Sequence, residues 1–313
     1  MSLIKKANEL NIDAKIKALI YGQAGTGKST LAISAPKPLL FDFDGGVHRI
    51  NYAHLDGVDT VQIENYQNFI DVLDKEDLKP YETLVIDTGG KLLDYMGEYI
   101  TKKNSKMGRA NGMLTLQGYG ERKAMFSALI KKISIMGKHL VFVAHRETRQ
   151  DGDDMRYVPL FGGSNYDSLV TELDLVGYME AVGRKRTITF DPTSRNDGKN
   201  TCNLPSVMDI PTITDEHGNP VADNNFLSVQ VIEPYIRRLK DRIVDGEKYK
   251  EVVSLIKSDV EAIVDADTAN DFVSRIDDYD HVGSSKEMAR TLLKGKTDSL
   301  KLNWVKGKGY EAV

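Results

Sequence analysis

The chain has 313 residues, 41% hydrophobic and 28% charged, with a net charge of −4 and a pI of about 5.9. This excludes holding nucleic acid by bulk charge, so any such surface has to be a local basic patch. A single cysteine, Cys202, excludes an internal disulfide and a cysteine-ligated zinc. No apolar run approaches the roughly 18 residues of a membrane span, and MSLIKKANEL has no signal-peptide core, so a cytoplasmic protein without a membrane partner is expected.

In chain order, Lys17–Tyr21 (KALIY) reads as a strand that runs into a glycine-rich loop, and Lys28–Ser34 as the helix after it. Leu39–Phe43 and Val58–Ile63 read as the second and third strands. Tyr66–Asp74 is the next expected helix, with Asn65 as its N-cap. Thr83–Ile86 is a fourth strand ending at Asp87. Glu121–Met136 is an amphipathic helix with Phe126, Leu129, Ile130 and Ile133 on one face, and His139–Ala144 is a fifth strand. Continuous apolar strands separated by helices predict an α/β fold with a mainly parallel central sheet. Leu173–Val182, Lys185–Phe190 and Leu227–Ile232 read as strands without helices between them, which predicts an antiparallel extension at one sheet edge. After Pro234 the chain reads as all helical, with segments at Glu247–Val264, Asp267–Ile276 (opened by an Asp-Thr cap) and Ser285–Leu293.

The segment Gly22-Gln23-Ala24-Gly25-Thr26-Gly27-Lys28-Ser29 matches G-x-x-x-x-G-K-[ST] at every fixed position, with Thr30 following. Successive backbone N–H groups of such a loop converge on a phosphate, and the helix N-terminus adds its dipole. Glycines at 22, 25 and 27 permit positive φ and close backbone approach. The chemistry implies a nucleoside triphosphate and Mg²⁺, with Lys28 reaching the β- and γ-phosphates and Ser29 ligating the metal. Asp87, at a strand end, is the expected outer support of that Mg²⁺. Asp42 and Asp44 end the neighbouring strand, and Asp44, nearer the carboxyl end, is the candidate that orients the attacking water. His145 either contacts the γ-phosphate or only bonds the backbone. The missing N-K-x-D tetrapeptide favours ATP over GTP.

Together these residues resemble the ATPase core of RecA-type recombinases, and more narrowly the core-only recombinases of bacteriophages, the Sak-type single-strand annealing proteins of the phage AAA-ATPase group. The resemblance spans residues 15–235 and includes the run Leu114–Gly120 (LTLQGYG) and VFVAHRE at 141–147. The family more often has Glu where this chain has Asp44, and Gln where it has His145. The change to an all-helical pattern places a boundary near residue 244, so the expected organisation is an N-terminal arm (1–14), a RecA-like core (15–244) and a small C-terminal helical region (245–313). It implies an ATPase, DNA-stimulated, that acts on single-stranded DNA in a phage-infected or prophage-carrying host. Residues 102–119, with Lys102, Lys103, Lys106 and Arg109, would form one DNA-facing loop. Arg146–Asn165, with Arg146, Arg149 and Arg156 and the exit Gly162-Gly163, would form the other; ordinary solvated charge is the alternative for both. The resemblance also implies a homo-oligomer with ATP sites between subunits, each site completed in trans by Lys199, or in reserve Arg195, unless that segment is only a polar hairpin tip. The recombinase core does not explain the acidic helical tail, which either contacts a partner such as a single-strand-binding protein or only packs on the core. A nucleotide-switched regulatory ATPase without DNA binding, and a helicase or packaging motor, are the rival readings.

Overall fold

The computed structural model describes residues 14–152, 154–162 and 166–312, and the chain divides into two compact units, Asp13–Tyr235 and Ile236–Val313. The expected arm and Gly163 therefore lie almost wholly outside the described residues.

The first unit is built on a ten-stranded sheet. Its parallel part holds β1 (Lys17–Gly22), β2 (Pro38–Asp42), β3 (Asp59–Gln62), β4 (Thr83–Asp87), β5 (His139–Asp151) and β7 (Leu175–Val182), ordered β7-β1-β5-β4-β2-β3. Short helices α1 (Lys28–Ala32) and α2 (Tyr52–Leu55) and longer ones, α3 (Tyr66–Lys75), α4 (Gly89–Lys103) and α5 (Leu116–Ile135), connect them. After β1 the chain moves to one side of the sheet and later returns to the other as β7, so the order reverses at β1. A ligand site belongs at the carboxyl end of the strand at such a switch point.

The strands were legible because both faces are covered. Leu19, Tyr21, Phe41, Leu84, Ile86 and Phe142 are fully buried, and Phe126 of α5 packs on Phe142 at a ring distance of 5.6 Å. The four α5 residues placed on one face are all buried, and Asn65 caps α3 by accepting from the Asn68 N–H. The α/β architecture with a mostly parallel sheet and an antiparallel edge is as expected.

Several boundaries need correction. β7 is parallel to β1 and belongs to the central sheet. The antiparallel edge is instead β8 (Lys185–Thr189) and β10 (Val207–Ile210), with the short β9 (Lys199–Asn200) also paired to β7. Leu227–Ile232 is π-helical, leading into α7 (Glu233–Glu261). Its β-branched content suggested a strand, but the buried side chains are Leu227, Val231 and Ile232, a helical spacing. Helix α5 begins at Leu116 because Thr115 accepts from the Gly118 N–H and caps it there.

The expected loop at 146–165 is largely a β-ribbon. β5 continues to Asp151 and pairs antiparallel with β6 (Asp154–Pro159), from Arg146↔Pro159 to Asp151↔Asp154. The polar run HRETRQD carries no apolar signal, yet the pairing satisfies its backbone. A short helix, α6 (Tyr166–Val170), follows.

The second unit contains α7 from Ile236 onward, α8 (Ala266–Arg275), α9 (Ser285–Ser299) and a hairpin of β11 (Leu302–Val305) and β12 (Gly309–Ala312). The all-helical expectation thus fails at the end of the chain, where Gly307 turns the strands at φ 84° and Trp304 meets Tyr310 across them. Ile256, Val260, Phe272 and Leu293 form its core. The cap of α8 is Asp265 in a capping box with Thr268, two residues earlier than expected.

Candidate nucleotide site

The loop after β1 has the shape its sequence requires. A Cβ on Gly22 would stand 2.3 Å from the Met179 carbonyl oxygen, so only glycine lets β1 lie against β7 there. Gly27 has φ 94° and leads the chain directly into α1. Thr26 and Lys28 are buried. The Lys28 ammonium donates to the Gln23 carbonyl at 2.7 Å, and the Thr26 hydroxyl donates to the same oxygen at 3.0 Å. Arg186 of β8, 160 residues away, donates to the Thr26 carbonyl at 3.0 Å and braces the loop from the sheet edge.

The cleft above the loop has a volume of about 270 Å³, and Lys28, Ser29, Asp44, Arg49, Asp87 and His145 line it. These come from α1, the turn after β2, the end of β4 and the middle of β5. The order β1-β5-β4-β2 places the carboxyl ends of these strands side by side. Asp87 is buried and hydrogen-bonded by Ser29. Burial, then the like charges of Asp44 and Asp42, push its carboxyl up to about 6, while Ser29 and Lys28 oppose the rise. The Lys28 ammonium is pushed below its ordinary value by burial, against the pull of Asp87 and Asp44. His145 is half-exposed; loss of water, then the cations Lys28 and Arg49, lower its imidazole, and Asp44 opposes them.

The two acids after β2 divide their tasks. Asp42 is buried and accepts from the Gly46 and Val47 N–H groups at 2.9 and 3.2 Å, so its carboxylate holds the turn. Asp44 is exposed to the cleft and accepts from Gly46 N–H at 3.0 Å. Strand β2 ends at Asp42, so the two acids do not alternate along one strand; the turn sets Asp44 over the loop instead.

Arg49 was missed by the sequence reading. It is the single Lys or Arg between Lys37 and Lys75, and a lone cation just after the acidic turn was the available signal. Both Asp44 Oδ1 and Arg49 Nη1 lie close to where a Gly46 Cβ would stand, at 2.7 and 3.5 Å.

A Mg²⁺–nucleotide fits this donor set. The Ser29 hydroxyl and Asp87 carboxylate form a hard-oxygen pair, and the glycine loop is open, with nothing within 4 Å of a Cβ on Gly25. No group of three or more metal-ligating side chains occurs among the described residues. A divalent cation here would draw its other oxygens from phosphate and water, the usual way Mg²⁺ is held.

The other predicted residues are not in this cleft. Arg146 stacks on Tyr157 at 4.0 Å, donates to the Tyr178 hydroxyl at 2.8 Å and reaches the Gln23 side chain at 3.4 Å, so it lies by the phosphate loop and not on a distal loop. Arg149 pairs with Glu147, and Arg156 with Asp197 at 2.6 Å. Lys199 donates to the carbonyls of Val170 and Thr171 at 3.1 and 3.2 Å, at the C-terminal end of α6 and just beyond it. Arg195 is exposed and lies over Tyr157. Its segment is stitched to β6 through Tyr157 N–H to the Arg195 carbonyl at 2.7 Å, and the Tyr21 hydroxyl donates to the Asp197 carbonyl at 2.7 Å. Lys102 and Lys103 end α4, Lys106 sits in a 3₁₀ turn and Arg109 in the bend after it, all exposed and without an ion pair among the described residues. The stretch they occupy is a tied turn, with Arg109 N–H to Met113 at 2.7 Å and Thr115 N–H to Met107 at 2.8 Å.

A family model described as an AAA domain matches residues 14–202. No curated protein matches the chain significantly. Three solved structures are similar at low identity. A flagellar accessory protein, FlaH, from Methanocaldococcus jannaschii is 10% identical over 65% of this chain and 87% of its own, with a TM-score of 0.36. A DnaB-like replicative helicase is 10% identical over 66% and 57%, with a TM-score of 0.43. A KaiC-like protein from Pyrococcus horikoshii OT3 is 12% identical over 63% and 89%, with a TM-score of 0.35. No helix among the described residues is long and apolar enough to cross a membrane.

Proposed function

The chain belongs to the AAA-domain family of P-loop ATPases, and from that premise we propose that it is a phage-type recombinase or annealing protein. It uses ATP and Mg²⁺ and acts on single-stranded DNA in the cytoplasm of an infected or lysogenic bacterium. The observation that carries this reading is the convergence of Lys28, Ser29, Asp44, Asp87 and His145 on one cleft at the carboxyl end of a parallel sheet. Mg²⁺, when bound, would neutralise charge on the phosphates. Lys28 binds the β- and γ-phosphates. Ser29 and Asp87 support the cation, Asp44 accepts from the attacking water, and His145 contacts the γ-phosphate with a neutral imidazole. Asp44→Asn is expected to lower kcat by about 10²-fold with KM little changed. A raised KM with kcat little changed would assign Asp44 to binding.

The DNA part is supported by the exposed cluster Lys102, Lys103, Lys106 and Arg109. Helix α4 starts beside Asp87 and spans 15 residues, about 22 Å, so the cluster lies roughly one helix length from the nucleotide. Arg149 and Arg156 are engaged internally, which favours the first cluster over the second. That engagement is also what favours the rival reading, a nucleotide-switched regulatory ATPase. A neighbouring subunit of a homo-oligomer would complete the site with a cation, and the exposed Arg195 is better placed for this than Lys199, which is folded onto α6. The unit at 236–313 is a candidate docking element for a single-strand-binding protein.

The test is steady-state ATP hydrolysis with and without single-stranded DNA at several salt concentrations. DNA is expected to stimulate hydrolysis, and the stimulation to fade with salt. Replacing Lys102, Lys103, Lys106 and Arg109 by Ala is expected to make the salt dependence of DNA affinity shallower by about 3 in log–log slope. Hydrolysis indifferent to DNA would leave the regulatory ATPase.

A further inference from the structure

The chain has a single tryptophan, and it is not in a core. Trp304, on β11, is 56% exposed. It stands directly opposite Tyr310 of β12 in the hairpin register, the two rings meeting edge to face at 5.1 Å. Tryptophan is highly buried on average in folded proteins, so an indole held open to water calls for an explanation.

The hairpin holds that ring in place. The Asn270 side chain of α8 engages both polar groups of the Tyr310 backbone, donating to its carbonyl at 3.0 Å and accepting from its N–H at 2.7 Å. Gly309 packs against the same amide, where a Cβ would stand 2.3 Å from Asn270 Oδ1. Leu302, at the foot of β11, is buried in the core of this unit, and Tyr310 packs on that core. The Lys308 N–H closes the turn on the Val305 carbonyl at 3.1 Å. A ring pair on a ribbon fixed at this many points loses little freedom when a ligand covers it.

Cations stand beside the ring. Lys306 and Lys308 flank Gly307 at the tip, two residues from Trp304 and from Tyr310 respectively, about 7 Å along each strand. From Ser299 to Tyr310 there are three lysines, Lys301 among them, and no acid. Lys301 and Lys306 have no ion pair among the described residues, and Lys308 has only the exposed Glu311 at 3.5 Å. Such surface pairs contribute little. On α8, Asp271 pairs with Arg275 at 2.7 Å, which leaves Asp267 as that helix's acid without an ion pair among the described residues.

A fixed, exposed aromatic ring with unpaired lysines beside it suits a single strand: an unpaired base of any identity can stack on the ring, and the cations follow the phosphates. We infer that the β11–β12 hairpin is a site for single-stranded nucleic acid, with a base on Trp304 and phosphates against Lys301, Lys306 and Lys308. The inference goes beyond the proposed function, because the site lies wholly in the second unit and needs neither ATP nor the basic turn at 102–109.

With one tryptophan in the chain, indole emission reports this site alone. The full chain with Lys102, Lys103, Lys106 and Arg109 replaced by Ala is titrated, without ATP, with an oligothymidylate of about 16 nucleotides, followed by emission and by the anisotropy of an end label. Emission is expected to be quenched in step with the rise in anisotropy, and both midpoints to move to higher concentration with salt. Adding Trp304→Ala is expected to weaken binding about tenfold, and Trp304→Tyr to restore most of it. Lys306→Gln with Lys308→Gln is expected to make the log–log salt slope shallower by about 1.4, twice the 0.7 of one single-strand phosphate contact. Constant emission, with or without a rise in anisotropy, would overturn the inference. So would equal quenching by polyglutamate of the same charge, which would give the hairpin to an acidic protein segment instead. If Trp304→Ala failed to fold, the quenching with Trp304 in place would decide alone. Failure of the proposed function looks different: hydrolysis indifferent to DNA while the quenching persists.

Discussion

Lys28→Ala is expected to reduce ATP turnover by about 10³-fold, the upper end of what one preorganised electrostatic donor contributes in a dry site. Lys28 is 6% exposed, so water does not screen it as it would a surface lysine. Its ammonium faces Asp87 and Asp44, and both carboxylates pull against the burial that lowers its pKa. With the ammonium gone, two acids, Asp44 and Asp87, face the phosphates, with Arg49 as the remaining Lys or Arg lining the cleft. A triphosphate then meets net repulsion where it met attraction, and both binding and turnover fall. The backbone of the loop is held separately, by Gly22 against Met179 and by Arg186 at the Thr26 carbonyl, so the far-ultraviolet circular dichroism is expected to match wild type. A Lys28→Ala protein that kept even a tenth of its turnover would remove the loop from the chemistry.

Sequence reading recovered what local chemistry determines. The phosphate loop was legible because each fixed residue answers a local demand: converging N–H groups, positive φ and a cation on the first helical turn. The central strands were legible because burial on both faces leaves an uninterrupted apolar run, as in Thr83–Ile86. Reading failed where a tertiary partner decides. The polar residues 146–151 form a strand only because 154–159 pairs with them. Leu227–Ile232 looked extended by composition, yet its π-helical turns are fixed by burial at Leu227, Val231 and Ile232. In the site, Asp87 was placed by its strand end, whereas Asp44 is placed by the turn that follows β2. Arg186 braces the loop across 160 residues of sequence, and no spacing announces it. The basic residues show the same limit: charge is visible in a sequence, but its neutralisation by Glu147 or Asp197 is not.

The same reasoning predicts that Asp87→Asn stabilises the ligand-free protein while disabling it. The Asp87 carboxyl rises from 3.8 unfolded to about 6 folded. Between those values the folded state keeps a proton that the unfolded state has released, so stability falls as pH rises through 4 to 6. Above that window the ionised, buried carboxylate lowers stability by about 3 kcal/mol. Asparagine keeps the shape and removes the charge. At pH 7 the variant is therefore expected to melt several degrees higher than wild type, and to lose the decline between pH 4 and 6. Its ATP turnover is expected to fall by 10²-fold or more, because the Ser29 oxygen loses its anionic partner for the cation. Mg²⁺–ATP should raise the Tm of wild type more than that of the variant, narrowing or reversing the gap. Thermal melts at four pH values, with and without Mg²⁺–ATP, decide the matter. A variant less stable than wild type at pH 7 would mean that Asp87 holds the fold and not the cation. A fully active one would place the metal support elsewhere. Strain of this kind, relieved only when a cation arrives, is what a buried carboxylate beside two others produces, and a fold under selection for stability alone would not keep it.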